Sequence, residues 1–406
     1  MSLVLRGGTL LDATGTDPQP GSTVVLDDDR ITSTSAGYKA KGKHGEVLDL
    51  EGLTVLPGLI DAHTHLGGAF GGGGIGSVAE FAAEIFNNLS LAVDAGFTTC
   101  RELGGVDDGV VTAVRRGLVR GPRIFHSGKI LCQTGGHGDY TDKYKEDPSN
   151  GIPGLSCGAH LCDSPHDARY GARLSFKLGA TQLKVCLTGG VVSLTDSLED
   201  TQFTVDELRA IVAEARARQT YVTAHVHNNQ GIRNGLEAGI ECFEHGTAVD
   251  EETAGRLAAA GAALVPTLTV AHVFQESFDS WGLPEAVRER VNGVEEGMTN
   301  AVKVAKDAGV LVGMGSDLIG SNQNRRGLEI VLRAAIEGPM EAILGATAVN
   351  AKVLRKSDEI GTIEVGKKAD VIAVSGDPLT EPELFDDPSR VVLVIRDGQI
   401  MKDTRR

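Results

Sequence analysis

Between residues 55 and 315 the chain alternates short, buried-looking runs with longer amphipathic stretches, and no other feature constrains its fold as tightly. An apolar run of this length suits a strand buried on both faces, and the amphipathic stretch after it suits a helix laid across the sheet. The strand candidates are Val55–Ile60, Thr98–Leu103, Arg123–Ser127, Gln182–Leu187, Tyr221–His225, Glu241–Glu244, Ala263–Thr267 and Leu311–Gly315. Helical stretches such as Val78–Ala95, Val205–Arg218, Asp250–Ala260 and Pro284–Ala308 separate them. Eight βα units in one α/β chain point to a TIM-type (β/α)8 barrel rather than an open sheet.

The two ends have a different texture. Residues 1–57 alternate apolar and polar positions between turn signals, as in Ser22–Ile31, and Gly361–Val374 and Val391–Ile400 repeat the pattern. Both ends therefore read as short antiparallel strands that pair into one small β-sandwich, residues 1–57 with 358–406, around a barrel of residues 58–357. The 55 acidic against 39 basic residues give a net charge of −16 with no long basic run. That balance argues against nucleic acid as a partner. No apolar stretch approaches the roughly 20 residues of a membrane span, and Met1–Leu5 enters a strand pattern without a secretion signal, so a cytoplasmic location is expected. Six cysteines lie scattered without C-x-x-C pairs and read as reduced, packed thiols.

Asp61-Ala62-His63-Thr64-His65 follows the first barrel strand, and residues two apart on an extended backbone share a side. Taken alone, the two histidines could as well be a surface pair. His225 ends the fifth strand, His245 follows the sixth and Asp317 the eighth, all at the carboxyl ends where barrel active sites are built. Each has a plainer role available, a hydrogen-bonded rim histidine or a helix N-cap. Together they make a donor set suited to Zn²⁺ first, with Mn²⁺, Co²⁺ or Fe²⁺ as other occupants. Lys184, inside Leu183-Lys184-Val185-Cys186-Leu187, places an amine against the barrel core. It either pairs with a buried carboxylate or, neutral through burial, reacts with CO₂ to give a carbamate able to bridge two ions.

With these residues in view, the sequence resembles the amidohydrolase superfamily along nearly its whole length, through Val55–His65 and Gly361–Asp370. Through Lys184–Ser193, Thr134–Asp139 and Phe243–Gly246 it is similar to the prolidase-like branch, which cleaves Xaa-Pro dipeptides and N-acyl amino acids. The resemblance implies a distorted (β/α)8 barrel with a small β-sandwich, one divalent ion on His63, His65 and Asp317, a second on His225 and His245, and carbamylated Lys184 between them. Two positions depart from the family pattern: His227 stands where a tyrosine is expected, and Ser321–Gly327 replaces a His-Gly pair after Asp317.

A pair of ions about 3.5–4 Å apart lowers the pKa of a water held between them, so the expected function is hydrolysis of an amide, urea or carbamate by a metal-bridging hydroxide. Asp317 is the expected proton shuttle, and His137 and His227 the expected hydrogen-bond donors to the substrate. Arg325 and Arg326 read as solvated rim charges or as a fork for a substrate carboxylate. The run Gly71–Gly76 lacks the G-K-[S/T] ending of a phosphate loop and reads as a lid. The expected partners are a small amide bearing a carboxylate and further copies of the chain. Two rival readings stand beside this one: a mononuclear deaminase or imidazolonepropionase-like enzyme, and a metal-binding assembly protein without catalysis.

Overall fold

The computed structural model describes residues 2–37, 45–67, 77–141, 144, 151–193, 195–281 and 285–405. The glycine run 71–76 lies outside them. Parallel strands form two ladders. One holds Leu59–Thr64, Phe97–Glu102 and Arg123–His126; the other runs Ala159–Leu161, Ile130–Cys132, Leu183–Cys186, Val222–Val226, Cys242–His245, Ala263–Val265 and Leu311–Val312.

Two seams join the ladders into a TIM-type ring. At the first, the chain itself passes from Arg123–His126 to Ile130–Cys132, and the Thr181 N–H, just before Leu183–Cys186, donates to His126 O at 2.9 Å. At the second, the Ala62 N–H donates to Met314 O at 3.2 Å and the Asp317 N–H to His63 O at 2.9 Å. The last strand thereby lies along the first, and their ends share one mouth.

Strand alternation explains the cores. Leu183, Val185 and Leu187 turn outward into the apolar layer beneath helices Pro165–Lys177 and Val205–Ala217, while Lys184 faces the cavity at the ring's mouth. Local chemistry starts and stops the covering helices: Thr204 and Glu207 form a reciprocal cap on Val205–Ala217, and Gly261 ends Glu251–Ala260 in a left-handed conformation.

Strands from both ends of the chain build two further sheets. One has the order Arg30–Ala36, Ser22–Asp27, Ser2–Arg6, Glu46–Asp49; the other Gln399–Asp403, Val391–Arg396, Val371–Ser375, Leu53–Pro57, Thr9–Leu10. The expected antiparallel pairing holds for most of them, but Ser2–Arg6 pairs with Glu46–Asp49, and Thr9–Leu10 with Leu53–Pro57, in parallel. The strand Val371–Ser375 is buried on both faces. Val371 and Ala373 join Leu3, Leu5 and Leu26 between the two sheets, whereas Ile372 and Val374 pack with Phe81, Ile85 and Leu89 of the barrel helix Val78–Asp94.

Three expectations change in detail. The apolar run Val55–Ile60 is not one strand: Leu53–Pro57 belongs to the terminal sheet, and Leu59–Thr64 starts the barrel. Gly58 lies between them because a Cβ there would fall 2.1 Å from Thr98 Oγ1. The Gly-, Cys- and His-rich crossover Cys132–Asp163, which its composition marks as an active-site loop, contributes a strand of its own, Ala159–Leu161. The helix expected at Pro284–Ala308 is Glu285–Asp307, and another, Leu268–Trp281, precedes it. All six cysteines are free thiols, five of them buried.

Candidate metal centre

His63 and His65 leave the first barrel strand on the same side. His63 Nδ1 lies 2.9 Å from Glu244 Oε2, and His65 Nδ1 lies 2.5 Å from Gly104 O. Both partners are acceptors, so each Nδ1 carries the proton and each Nε2 offers a lone pair. Those two Nε2 atoms are 3.3 Å apart, and Asp317 Oδ1 lies 3.3 Å from one and 3.1 Å from the other. Three electron-rich atoms converging this closely repel one another unless a cation lies among them. The donor set fits a divalent ion of the zinc type.

A second group adjoins the first. Ring nitrogens of His225, His227 and His245 all lie within 4.8 Å of one another, as do the donor atoms of His63, His245 and Asp317, so His245 belongs to both groups. His225 Nε2 donates to Gly189 O at 3.2 Å, and His245 Nδ1 pairs with Thr267 Oγ1 at 2.8 Å. The opposite nitrogen of each ring is left for a ligand. Burial, with neighbouring rings and Lys184, pushes both imidazoles well below their usual range and keeps them neutral. Burial would raise the Asp317 carboxyl, but His63, His65 and Lys184 outweigh it and hold it below its ordinary value.

Lys184 is 3 % exposed and, among the described residues, makes no hydrogen bond or ion pair. The pairing with a buried carboxylate considered from sequence does not form there. Burial lowers its pKa towards the neutral amine.

Backbone strain aims two of the donors. Glu244 and His245 are consecutive yet both face the centre, which a regular strand forbids. His245 achieves it at φ 64°, and Asp317 at φ 53° after the eighth strand. A left-handed non-glycine residue costs on the order of 1–3 kcal/mol, and such residues cluster at working sites.

Sequence reasoning assigned no role to the groups that hold these donors. Arg101, wholly buried, donates from Nη2 to Glu244 Oε1 at 2.6 Å and from Nε to Ala62 O at 2.5 Å, and Thr223 also donates to Glu244. Burial alone would raise Glu244, but Arg101 and His63 bring it down to about 2. Asp61 accepts from Ser316 Oγ at 2.6 Å and from Arg326 Nη1 at 2.7 Å, fixing the loop that carries Asp317. The available signal was charge inside buried strands, at Asp61, Arg101 and Glu244. For Arg326 neither expectation holds, since it is fully buried on Asp61; Arg325 stays partly exposed and is tied to Asp386 at 2.8 Å and Glu276 at 2.9 Å.

All eight site residues expected from sequence, His63, His65, His137, Lys184, His225, His227, His245 and Asp317, line one cavity. His137 stacks on His225 with ring centres 4.0 Å apart, and its N–H donates to Gln202 Oε1 at 3.1 Å. Its pKa falls to about 4 and that of His227 to about 3, through burial first. Opposite the polar floor the wall is apolar, built largely from Leu268–Trp281 and Glu285–Asp307. Among the described residues no helix is long and apolar enough to cross a membrane.

Comparison with known proteins agrees with this geometry. The ochratoxinase of Aspergillus niger is 31% identical over 364 residues, covering 86% of this chain and 75% of that protein. A prolidase solved with N-methylphosphonate-L-proline superposes with a TM-score of 0.94 at 33% identity over the full length of both chains. A Xaa-Pro dipeptidase with methionine in its active site gives 0.88 at 30% identity, covering 98% of this chain and 99% of the other. The amidohydrolase family profile matches residues 54–401. This chain therefore belongs to the amidohydrolase family and is a hydrolase of amide bonds.

Proposed function

We propose that the chain is a binuclear metal-dependent amidase acting on a dipeptide, an N-acyl amino acid or a related amide, urea or carbamate. One observation carries this reading: two histidine lone pairs and a carboxylate oxygen meet within 3.3 Å beside a buried lysine that has no partner among the described residues. His63, His65 and Asp317 would hold one ion, His225 and His245 the other, and Lys184, once its amine has formed an N–C bond to CO₂ and released a proton, would supply the anion between them. Bound there, the ions activate water and polarise a carbonyl.

The remaining chemistry belongs to the chain. The Asp317 carboxylate, held ionised, accepts the proton of the attacking water and returns it to the departing amine nitrogen. His137 and His227, kept neutral, donate hydrogen bonds to the substrate as charge develops on its oxygen. The apolar wall excludes bulk water and strengthens these interactions. The nitrogen of His227 lies near those of His225 and His245, which favours a second reading in which it completes that ion's ligands.

The test is metal analysis combined with a substrate screen. Zinc- or manganese-loaded protein should hold two equivalents per chain and release a free amino acid from N-acyl amino acids or dipeptides. One equivalent, with deamination or ring opening instead, would replace this reading with the mononuclear one.

A further inference from the structure

Three segments build the apolar side of the cavity, and they are fastened to one another. Phe274 comes from the helix Leu268–Trp281, Val291, Val294 and Met298 from Glu285–Asp307, and Val191 from the loop after the fourth barrel strand; Ile319 closes the edge next to Asp317. Phe274, Val291, Val294 and Met298 are buried and pack into apolar clusters behind the surface they present. Arg290, on the second helix, donates from Nη1 to Ser193 O at 3.1 Å and so fixes the loop carrying Val191. Such a wall exists before any ligand arrives and holds water poorly.

Charge is distributed the other way. Among the described residues lining the cavity, Lys184 is the single lysine and there is no arginine. Arg101, Arg290, Arg325 and Arg326, on segments around the cavity, are committed to Glu244, to Ser193 O, to Glu276 with Asp386, and to Asp61. A charged group pressed against the wall would lose its hydration with nothing in return, whereas an apolar one gains by every contact.

We infer that this wall binds a bulky, uncharged substituent next to the scissile bond, so that the enzyme selects amides carrying an aromatic or branched alkyl group there. The inference rests on the proposed amidase reading and narrows its substrate class. Phe274, Val291 and Val294 set the specificity without taking part in bond cleavage.

The test is a matrix of amides in which the group on each side of the scissile bond is varied between small (acetyl, glycyl), bulky uncharged (benzoyl, leucyl, phenylalanyl) and charged (succinyl, aspartyl, lysyl). With metal-loaded protein, kcat/KM should rise about 10- to 100-fold from the small to the bulky group on one side of the bond, and charged groups there should be the poorest. Val294→Trp, with its fold checked by circular dichroism, should collapse the ratio of kcat/KM for the bulky over the small group, and calorimetric affinity for the bulky compounds should fall with it. Calorimetric binding of the same compounds gives a readout independent of turnover. Equal kcat/KM across the matrix, or preference for a charged group, overturns the inference and leaves amide hydrolysis standing. Selective binding of the bulky compounds without cleavage of any amide sustains the inference and overturns the proposed function. Neither cleavage nor selective binding overturns both.

Discussion

Glu244 Oε2 lies 2.9 Å from His63 Nδ1 while the other oxygen of the same carboxylate accepts from Arg101 at 2.6 Å, so a wholly buried ion pair sets the tautomer of a histidine in the candidate metal centre. The carboxylate can only accept, which keeps the ring proton on Nδ1 and the lone pair on Nε2.

Glu244→Gln tests this relay. The amide can present its NH₂ to Nδ1, which moves the ring proton to Nε2 and closes that ligand position. Metal affinity should fall about 10- to 100-fold, measured by competition with a chelator. Arg101 would also lose its counter-charge, at a cost of roughly 3 kcal/mol, visible as a lower denaturation midpoint.

Asp317→Asn separates proton transfer from folding. Asparagine tolerates the left-handed backbone that Asp317 occupies at φ 53°, so the fold should persist. Turnover should fall roughly 10²- to 10⁴-fold in steady-state assays with metal supplied, and a variant with near-normal kcat would exclude Asp317 as the proton shuttle.

For Lys184, replacement by alanine removes the nitrogen on which the proposed bridging anion would form. Metal content should fall from two equivalents to one or none by elemental analysis, and a short carboxylic acid should restore part of the activity. Full metal occupancy in Lys184→Ala would show that the lysine plays no part in holding the ions.

The titration of the site has a definite sign. His137 and His227 have pKa values near 4 and 3 when folded, against 6.5 as free side chains. Unfolded chain therefore binds more protons between those limits, and stability present above pH 6.5 is lost as the pH falls through the folded values. For His137 alone the shift corresponds to about 3 kcal/mol. Glu102 and Glu329, each raised to about 7 by burial, act oppositely and withdraw stability as pH rises from 4.5. His63, His126, His160, His225 and His245 are also lowered, so seven histidines oppose two carboxylates. The Tm of the metal-free protein should drop from pH 6.5 to pH 4; a flat or rising profile contradicts these buried neutral rings.

The barrel was legible because short buried-looking runs alternate with amphipathic ones, and most of the donors because they lie at or just past a strand end, a local property a single sequence displays. His63 and His65 needed only their spacing of two. The supports were not legible in the same way. Arg101 and Glu244 are 143 residues apart, Asp61 and Arg326 are 265 apart, and no periodicity pairs residues at such distances. Arg325 and Arg326 looked like rim charges because they sit in a polar loop, and only three-dimensional pairing shows one of them buried. The boundary at Gly58 was blurred for a related reason: Leu53–Pro57 and Leu59–Thr64 are both apolar, one because the terminal sheet covers it, the other because the barrel does.

The strand Val371–Ser375 gives one flank to the sheets of the chain ends and the other to the barrel helix Val78–Asp94. Stripping either neighbour away would leave a row of valine and isoleucine in water, at about 25 cal/mol for each Å² uncovered. Heat or denaturant should thus meet a single thermodynamic body at this junction, with one melting transition for the barrel and the terminal sheets together.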